Sequence, residues 1–349
     1  MEDALNPGRT SVAVEPEFPP DPPVPEGTLL LPYEESCQKV RELALRQLNR
    51  FISYESKVLK GDDAEAIHDM RVASRRLQQV LDVLYPKPRP QELRRLRRQI
   101  RRCRQTLGEV RNCDVLLELV EQSLGKKRAA RREAWTAVQH YLLMRRSETF
   151  LRAVRKLGKV NLTVFYVNLK DFLHRDKGHD HPAARQAHGA DPARSGMVKV
   201  LIDSLETIWG RFESQIEQSR RTPRPEVIHG ARIATKRLRY LLEVFHEFSV
   251  PGSAEALAWL RRLQKHLGDW HDLVVLEEMM IEMLARPEFL HEHLPLAMEV
   301  EKLVLRNRAS RAKFEEKYSQ GFRDSADIKR LKEWVTYLLT SPSAALAKA

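Results

Sequence analysis

Two stretches of this chain set a histidine and a row of cations at the same spacing. His68, Arg71, Arg75 and Arg76 lie in HDMRVASRRLQQVLDVL, residues 68–84. His229, Arg232, Lys236 and Arg237 lie in HGARIATKRLRYLLEVF, residues 229–245. On a helix at about 100° per residue, Ala73, Leu77, Val80, Leu81 and Leu84 gather on one side of the first stretch. His68, Arg71, Arg75 and Gln79 fall opposite, with Arg76 on the flank. The second stretch sorts the same way, with Ala234, Leu238, Leu241, Leu242 and Phe245 against His229, Arg232, Lys236 and Tyr240. Forked guanidinium donors suit a row of phosphate oxygens, and lysine adds a mobile point charge. An imidazole beside them can donate hydrogen bonds, and a phosphate's field would favour its charged form. One such histidine taken alone reads as a helix cap or a packing residue. Two that recur with the same cations at the same offsets point to anion binding.

A second basic element follows each copy. Residues 91–107 give a narrow apolar stripe of Leu93, Leu96, Ile100, Cys103 and Leu107, while Arg94, Arg95, Arg97, Arg98, Arg101, Arg102 and Arg104 take most of the remaining surface. Only Glu92 and Glu109 are acidic between Arg89 and Arg111. Cations without counter-ions repel one another unless an anion is supplied, so this helix reads as a binding face rather than a merely solvated one. It ends in Leu107-Gly108-Glu109. In the second half Arg261, Arg262, Leu263, Gln264, Lys265 and His266 lead to Leu267-Gly268-Asp269, with the register slipped by one residue. Arg101 and Arg102 match Arg261 and Arg262, and Arg111 matches His271. The internal repeat is at least two helices deep.

Several catalytic chemistries lack their residues. The chain has no G-x-x-x-x-G-K-[ST] phosphate loop and no H-E-x-x-H zinc helix. His68-Asp69 and His271-Asp272 resemble the His-Asp pair of metal-dependent phosphohydrolases, but the copy of the first is His229-Gly230, which keeps the histidine and drops the acid. The shared face carries carboxylates only near its far ends, Asp82 and Glu243, and Mg²⁺ needs such oxygens. Cys37, Cys103 and Cys113 are odd in number and lack zinc-site spacing, so they read as buried free thiols in a reducing compartment. Neither a metal nor a cofactor is expected.

The chain of 349 residues carries a formal charge of +12, from 60 basic and 48 acidic residues. Such a balance suits nucleic acid, an acidic membrane or another polyanion. Residues 1–28 hold seven prolines, six acids and one arginine, which makes the remainder more basic still; this segment reads as a disordered tail. Helical periodicity then runs over about 30–60, the His68 stretch up to Pro86, 91–107, from near Asn112, 126–157 and 160–173. Residues 174–196, with His174, His179, His181 and His188 among glycines and prolines, read as a linker rather than a metal site. The pattern restarts at Met197, with helices expected to about Arg220, through the His229 stretch, and over 254–267, 270–285, 295–318 and 325–340. There is no two-residue alternation for strands. The expected fold is all-α: two pseudo-symmetric helical bundles of about four main helices each, over 29–173 and 197–341. No signal peptide is evident, and no run approaches the ~18 apolar residues of a membrane span. The expectation is a cytoplasmic protein with no membrane contact.

The doubled H-x-x-R-[VI]-x-[ST]-[RK]-R-L, each copy followed by a basic helix ending in L-G-[ED], resembles the CHAD domain, the conserved-histidine α-helical domain, over about residues 30–340. The resemblance implies two bundles facing across a basic central channel that binds inorganic polyphosphate without catalysis, in association with polyphosphate granules. Some members carry a fused triphosphatase-type domain marked by E-x-E-x-K. That element is missing here, which implies a stand-alone binding module. The implied ligand contacts are His68, Arg71, Arg75 and Arg76 in one half and His229, Arg232, Lys236, Arg237 and Arg239 in the other. Arg98, Arg101, Arg102, Arg262, Lys265 and His266 would line the walls. Gln78 departs from the pattern, standing where the second copy has Arg239 and weakening one contact. Asn112 stands where the second copy has Asp272, a difference expected to concern bundle structure. Two rival readings remain: a metal-dependent phosphohydrolase, which metal-dependent turnover of polyphosphate or nucleoside triphosphates would reveal, and, the nearer one, an RNA- or DNA-binding helical protein, with nucleic acid at least a competitor for the site. The latter calls for stacking aromatics on the basic face, and only Tyr240 lies there.

Overall fold

The helical spacing of the sequence is realised with few departures. The computed structural model describes residues 33–124, 129–175, 197–321 and 326–340, and every regular element among them is an α-helix. The first repeat runs through α1 (Tyr33–Ser53), α2 (Glu55–Lys60), α3 (Ala64–Leu84), α4 (Gln91–Thr106), α5 (Gly108–Leu124), α6 (Ala129–Gly158) and α7 (Leu162–Arg175). The second runs through α8 (Met197–Arg221), α9 (Pro225–Glu247), α10 (Ser253–Leu284), α11 (Pro287–Glu292), α12 (Leu294–Gly321) and α13 (Ala326–Thr340). The acidic tail 1–28 and linker residues 176–196 lie outside the described residues. His174 is helical, its Nδ1 2.7 Å from the Lys170 carbonyl.

The largest departure concerns the L-G-[ED] element. In the first repeat it separates α4 from α5, but in the second α10 passes through Leu267-Gly268 without interruption. A side chain accounts for the difference. Arg71 Nη1 donates to the carbonyl of Arg104, the acceptor that a continuous helix would offer to the N–H of Gly108. A side chain inserted into the i→i−4 ladder is a recognised cause of a helix break. Gly108 leaves room for it: a Cβ there would lie 3.3 Å from Arg71 Nη1.

Two apolar cores hold the helices, and neither divides at the linker. One gathers Leu48 and Phe51 of α1, Met70, Leu77 and Leu81 of α3, Leu201, Leu205 and Phe212 of α8, and Leu238, Leu242 and Phe245 of α9. The apolar stripe of α4, the buried face of α7 and the first half of α10 pack around them. The other core takes Leu116 and Val120 of α5, Val138 and Leu142 of α6, Leu276 and Met280 of α10, and Val300 and Val304 of α12. Each core therefore interleaves both repeats, and α10 runs through both. Ion pairs cross the repeats as well: Arg46–Glu247 at 2.7 Å, Arg76–Glu243 at 2.8 Å and Arg145–Glu282 at 3.0 Å. All three cysteines are buried, and burial pushes the Cys103 and Cys113 thiols up to about 12 and about 11. Among the described residues, no helix is long and apolar enough to cross a membrane.

Entry into α3 depends on Gly61, which caps α2 at φ 81°. Its carbonyl accepts from Arg146 Nη2 at 3.0 Å, and Arg146 Nε donates to buried Asp114 at 2.5 Å. An added Cβ at Gly61 would meet the Phe150 ring at 2.3 Å. Gly61→Ala is expected to destabilise the fold by about 2 kcal/mol, from left-handed backbone strain and overpacking together. Urea unfolding of the two proteins measures this. Combining it with Phe150→Ala should cost less than the sum of the single changes.

Candidate functional site

Helices α3 and α9 bring the two motif copies face to face. Asp63 caps α3, its side chain accepting from the Ala66 N–H at 2.8 Å, and Pro225 opens α9 with its fixed φ. The apolar sides of both helices are buried in the first core. That burial fixes their rotation and turns His68, Arg71 and Arg75 of α3 towards Arg232 and Lys236 of α9, with exposed His229 one turn before Arg232.

The cations come close enough to suppress one another's protonation. Arg71 is lowered to about 9, by burial first and then by Arg75, Arg104 and Arg111. Arg104, from the end of α4, falls to about 10 through burial and the nearby Arg75, Arg101 and Arg97. Arg232 falls to about 10 through burial, with Arg75 adding to the effect and Asp272 opposing it. Lys236 is held well below the ordinary lysine value by burial, Arg232 and Arg75. Arg75 thus touches the field of both repeats. Arg111 of α5 and His271 of α10 complete the cluster from equivalent positions of the repeat.

Its three imidazoles favour the neutral form. Burial and the surrounding cations take His68 to about 4 and His271 to about 3 and lower His229 as well. The His229 and His271 rings lie 5.3 Å apart between centroids. Asp272 is the carboxylate set among these cations. Burial raises it to about 6, although Arg232, Lys236 and Arg111 pull the other way. Glu65 reaches Arg111 at 3.4 Å from a solvent-exposed position. The Nε of Arg232 is buried with no hydrogen-bond acceptor among the described residues.

Of the residues singled out in the sequence, His68, Arg71, Arg75, His229, Arg232 and Lys236 are brought together. Arg76 and Arg239 are not in this group: both hold Glu243, at 2.8 and 3.7 Å, Arg76 across from α3 to α9 and Arg239 from within α9 itself. Arg239 is also buried, its guanidinium 4.9 Å from the Tyr240 ring centroid. Arg237 and Lys265 are exposed. Arg262 is drawn to Asp327 at 2.6 Å, and His266 Nε2 lies 3.2 Å from the Phe314 carbonyl, its ring beside Phe314 and Tyr318. Arg98, Arg101 and Arg102 are exposed along α4, with Arg101 nearest the cluster through Arg104.

The residues that sequence reasoning left out of the site are Arg104, Arg111, His271 and Asp272. The match of Arg111 to His271 across the repeat was the available signal for two of them. Asp272, expected to serve bundle structure, sits among the cations instead. Gln78 does not mark a lost contact of the cluster. Its side-chain carbonyl accepts from Arg104 Nη1, and its Nε2 donates to the Arg97 carbonyl at 3.2 Å. No three His, Cys, Asp or Glu side chains gather to hold a metal ion among the described residues.

Fold and site define an all-helical protein in which two copies of one motif build a shared basic cluster. The chain belongs to the CHAD domain family, whose model matches residues 42–280. Its fold is similar to the CHAD domain from the plant Ricinus communis, with 20% identity, a TM-score of 0.57, and 86% of this chain and 91% of that one covered. It is also similar to PptA from Streptomyces chartreusis, with 14% identity, a TM-score of 0.54, and 82% and 99% covered. Comparison with curated proteins gives no match.

The depressed histidines set the pH dependence of stability. Their folded values lie below the ordinary 6.5, so on acidification the unfolded chain takes up protons first and stability is lost from about 6.5 down towards 4. Asp272, raised to about 6, works in the opposite sense over about 6 to 3.8 and offsets part of the loss. The expected result is a Tm several degrees lower at pH 5 than at pH 7 in low-salt buffer, with a smaller drop in His68→Gln. Thermal melts of both proteins check it.

Proposed function

We propose that this protein binds inorganic polyphosphate in the cluster between α3 and α9, as a binding module that does not turn the polymer over. One observation carries the reading: Arg71, Arg75, Arg104, Arg111, Arg232 and Lys236 converge from both repeats with Asp272 as the carboxylate among them. Membership of the CHAD family supports it, because the doubled histidine motif lies within the matched residues.

The mechanism is electrostatic. Rigid helices hold the cations together before the ligand arrives, so their mutual repulsion is already present and the polyanion relieves it. Each phosphate neutralised releases condensed counter-ions, which makes affinity fall steeply with salt. Arginines offer forked donors, and the buried Nε of Arg232 gains an acceptor. Nucleic acid is disfavoured because the aromatic beside the cluster, Tyr240, is buried under Arg239 and offers no stacking face. A protein holding this polymer would travel with it to polyphosphate granules.

The test is a titration with long-chain polyphosphate, competed with RNA at two salt concentrations, for the wild type and Arg71→Ala/Arg232→Ala. Binding should survive excess RNA, fall with a log–log salt slope of about −4 for six neutralised charges, and drop at least tenfold in the double variant. No orthophosphate should be released. RNA competing on equal terms would reduce the protein to a general basic binder. Phosphate also raises the histidines from their depressed values, so complex formation takes up protons and affinity should increase from pH 7 to pH 6. Calorimetry in buffers of different ionisation enthalpy reads that uptake.

A further inference from the structure

Eight of the twelve large apolar side chains exposed among the described residues lie on α6 and on α10–α12. On α6, at about 100° per residue, Thr136, His140, Leu143, Met144, Ser147 and Leu151 form one outward face. All six are exposed, and no Lys, Arg, Asp or Glu interrupts them over about four turns. A solvated helix face in a chain with 31% charged residues would carry charge. This ridge has the composition of a covered one.

The second surface is a groove between α10 and α12. Glu277 of α10 holds Arg308 and Arg311 of α12 at 2.7 and 2.9 Å. One turn on from the Glu277–Arg308 pair, Ile281 and Leu305 are 43% and 56% exposed, on the flanks where the two helices adjoin. Exposed Met298 and Leu294 continue the stripe of Leu305 along α12, and exposed Leu290 of α11 precedes it in the chain. The fold does not demand these side chains. In the first repeat Asp114 and Arg146 make the matching ion pair, at 2.5 Å. Counted from it, Glu118, Thr136 and Arg132 stand where the second repeat has Ile281, Met298 and Leu294. The same pair of helices forms there with polar residues.

Ridge and groove are opposite in charge. From Arg131 to Lys156 the chain has seven cations and two acids, whereas from Glu277 to Glu301 it has seven acids and one arginine. Arg132 and Arg155 beside the ridge, and Glu278, Glu288, Glu292 and Glu301 around the groove, form no ion pair among the described residues. We propose that the groove receives α6 of a second copy of this chain, and that the contact is reciprocal, giving a two-fold dimer. Helices α6 and α12 pack side by side in one bundle, so a single two-fold rotation can make both contacts at once. Leucine and methionine anchors at helical spacing suit a helix laid in a groove, and arginine meets glutamate across it. The acids of the groove repel polyphosphate or nucleic acid, and an unrelated peptide in the groove would leave the ridge bare.

Sedimentation velocity of the full-length protein over about 1 to 100 μM should show a monomer–dimer equilibrium. Arg132→Glu/Arg155→Glu and Glu278→Arg/Glu301→Arg should each weaken the dimer about tenfold. All four changes in one chain should restore it to within about threefold of the wild type, a recovery that a folding defect would not give. Leu143→Ser/Met298→Ser should also weaken the dimer, with an unchanged thermal melt because both side chains are exposed. A wild type that stays monomeric over the whole range would overturn the proposal, and so would assembly into chains longer than dimers. A dimer indifferent to these variants, or one that the fourfold variant fails to restore, would overturn it equally.

Discussion

Like charges pressed together are the constraint that the rest of this structure answers to. Two unit charges about 6 Å apart at an effective dielectric constant near 20 repel by about 3 kcal/mol, so a cluster of six cations works against its own assembly. A fully buried leucine or phenylalanine contributes about 1.5–3 kcal/mol, so apolar burial on the scale of the two cores can oppose the repulsion. That explains why the motif helices are apolar along their whole inner sides. It also explains why Glu243 is shared between Arg76 and Arg239 at the crossing of α3 and α9. The carboxylate, steadied by Arg239 on its own helix, fastens α9 to α3 through Arg76 against the repulsion of the facing cations.

Matching residues of the two motif copies do different work. Arg71 spends its guanidinium on the carbonyl of Arg104 and breaks the helix there, whereas its counterpart Arg232 faces Asp272 and leaves α10 continuous. Asp82 keeps to its own repeat, holding Arg89 and Arg97 at 2.6 and 2.7 Å, while its counterpart Glu243 reaches across. The two motif copies share their spacing, and the partners their side chains find differ.

Much of this was legible in the sequence, for a physical reason. Helix position and rotation are set by apolar periodicity, and periodicity is local. That His68, Arg71 and Arg75 share one side of their helix, and His229, Arg232 and Lys236 one side of theirs, followed once both stretches were read as amphipathic; that the two sides face one another was implied by the family resemblance alone. What failed to show were choices made between elements. Arg76 and Arg262 look like ligand-binding cations until a carboxylate from elsewhere, Glu243 or Asp327, takes them. His266 looks free until the carbonyl of Phe314 approaches it. Asp272 looked structural because the position of an acid on one helix says nothing about which cations stand opposite. The break at Leu107 and its absence at Leu267 were hidden for the same reason, since both carry the same Leu-Gly pair and only Arg71 tells them apart.

The interleaving of the two repeats in both cores bears on how the chain is made. Helices α1 and α3 emerge from the ribosome with the faces that will meet α8 and α9 still bare. At about 5–20 residues per second, the wait until α9 follows α3 is roughly ten to thirty seconds. During that interval the nascent first half exposes leucine-rich helix faces beside a strongly cationic surface, in the company of ribosomal RNA. The second half is therefore the folding partner of the first as well as its copy, and severing the chain between them would leave two fragments each lacking half of both cores.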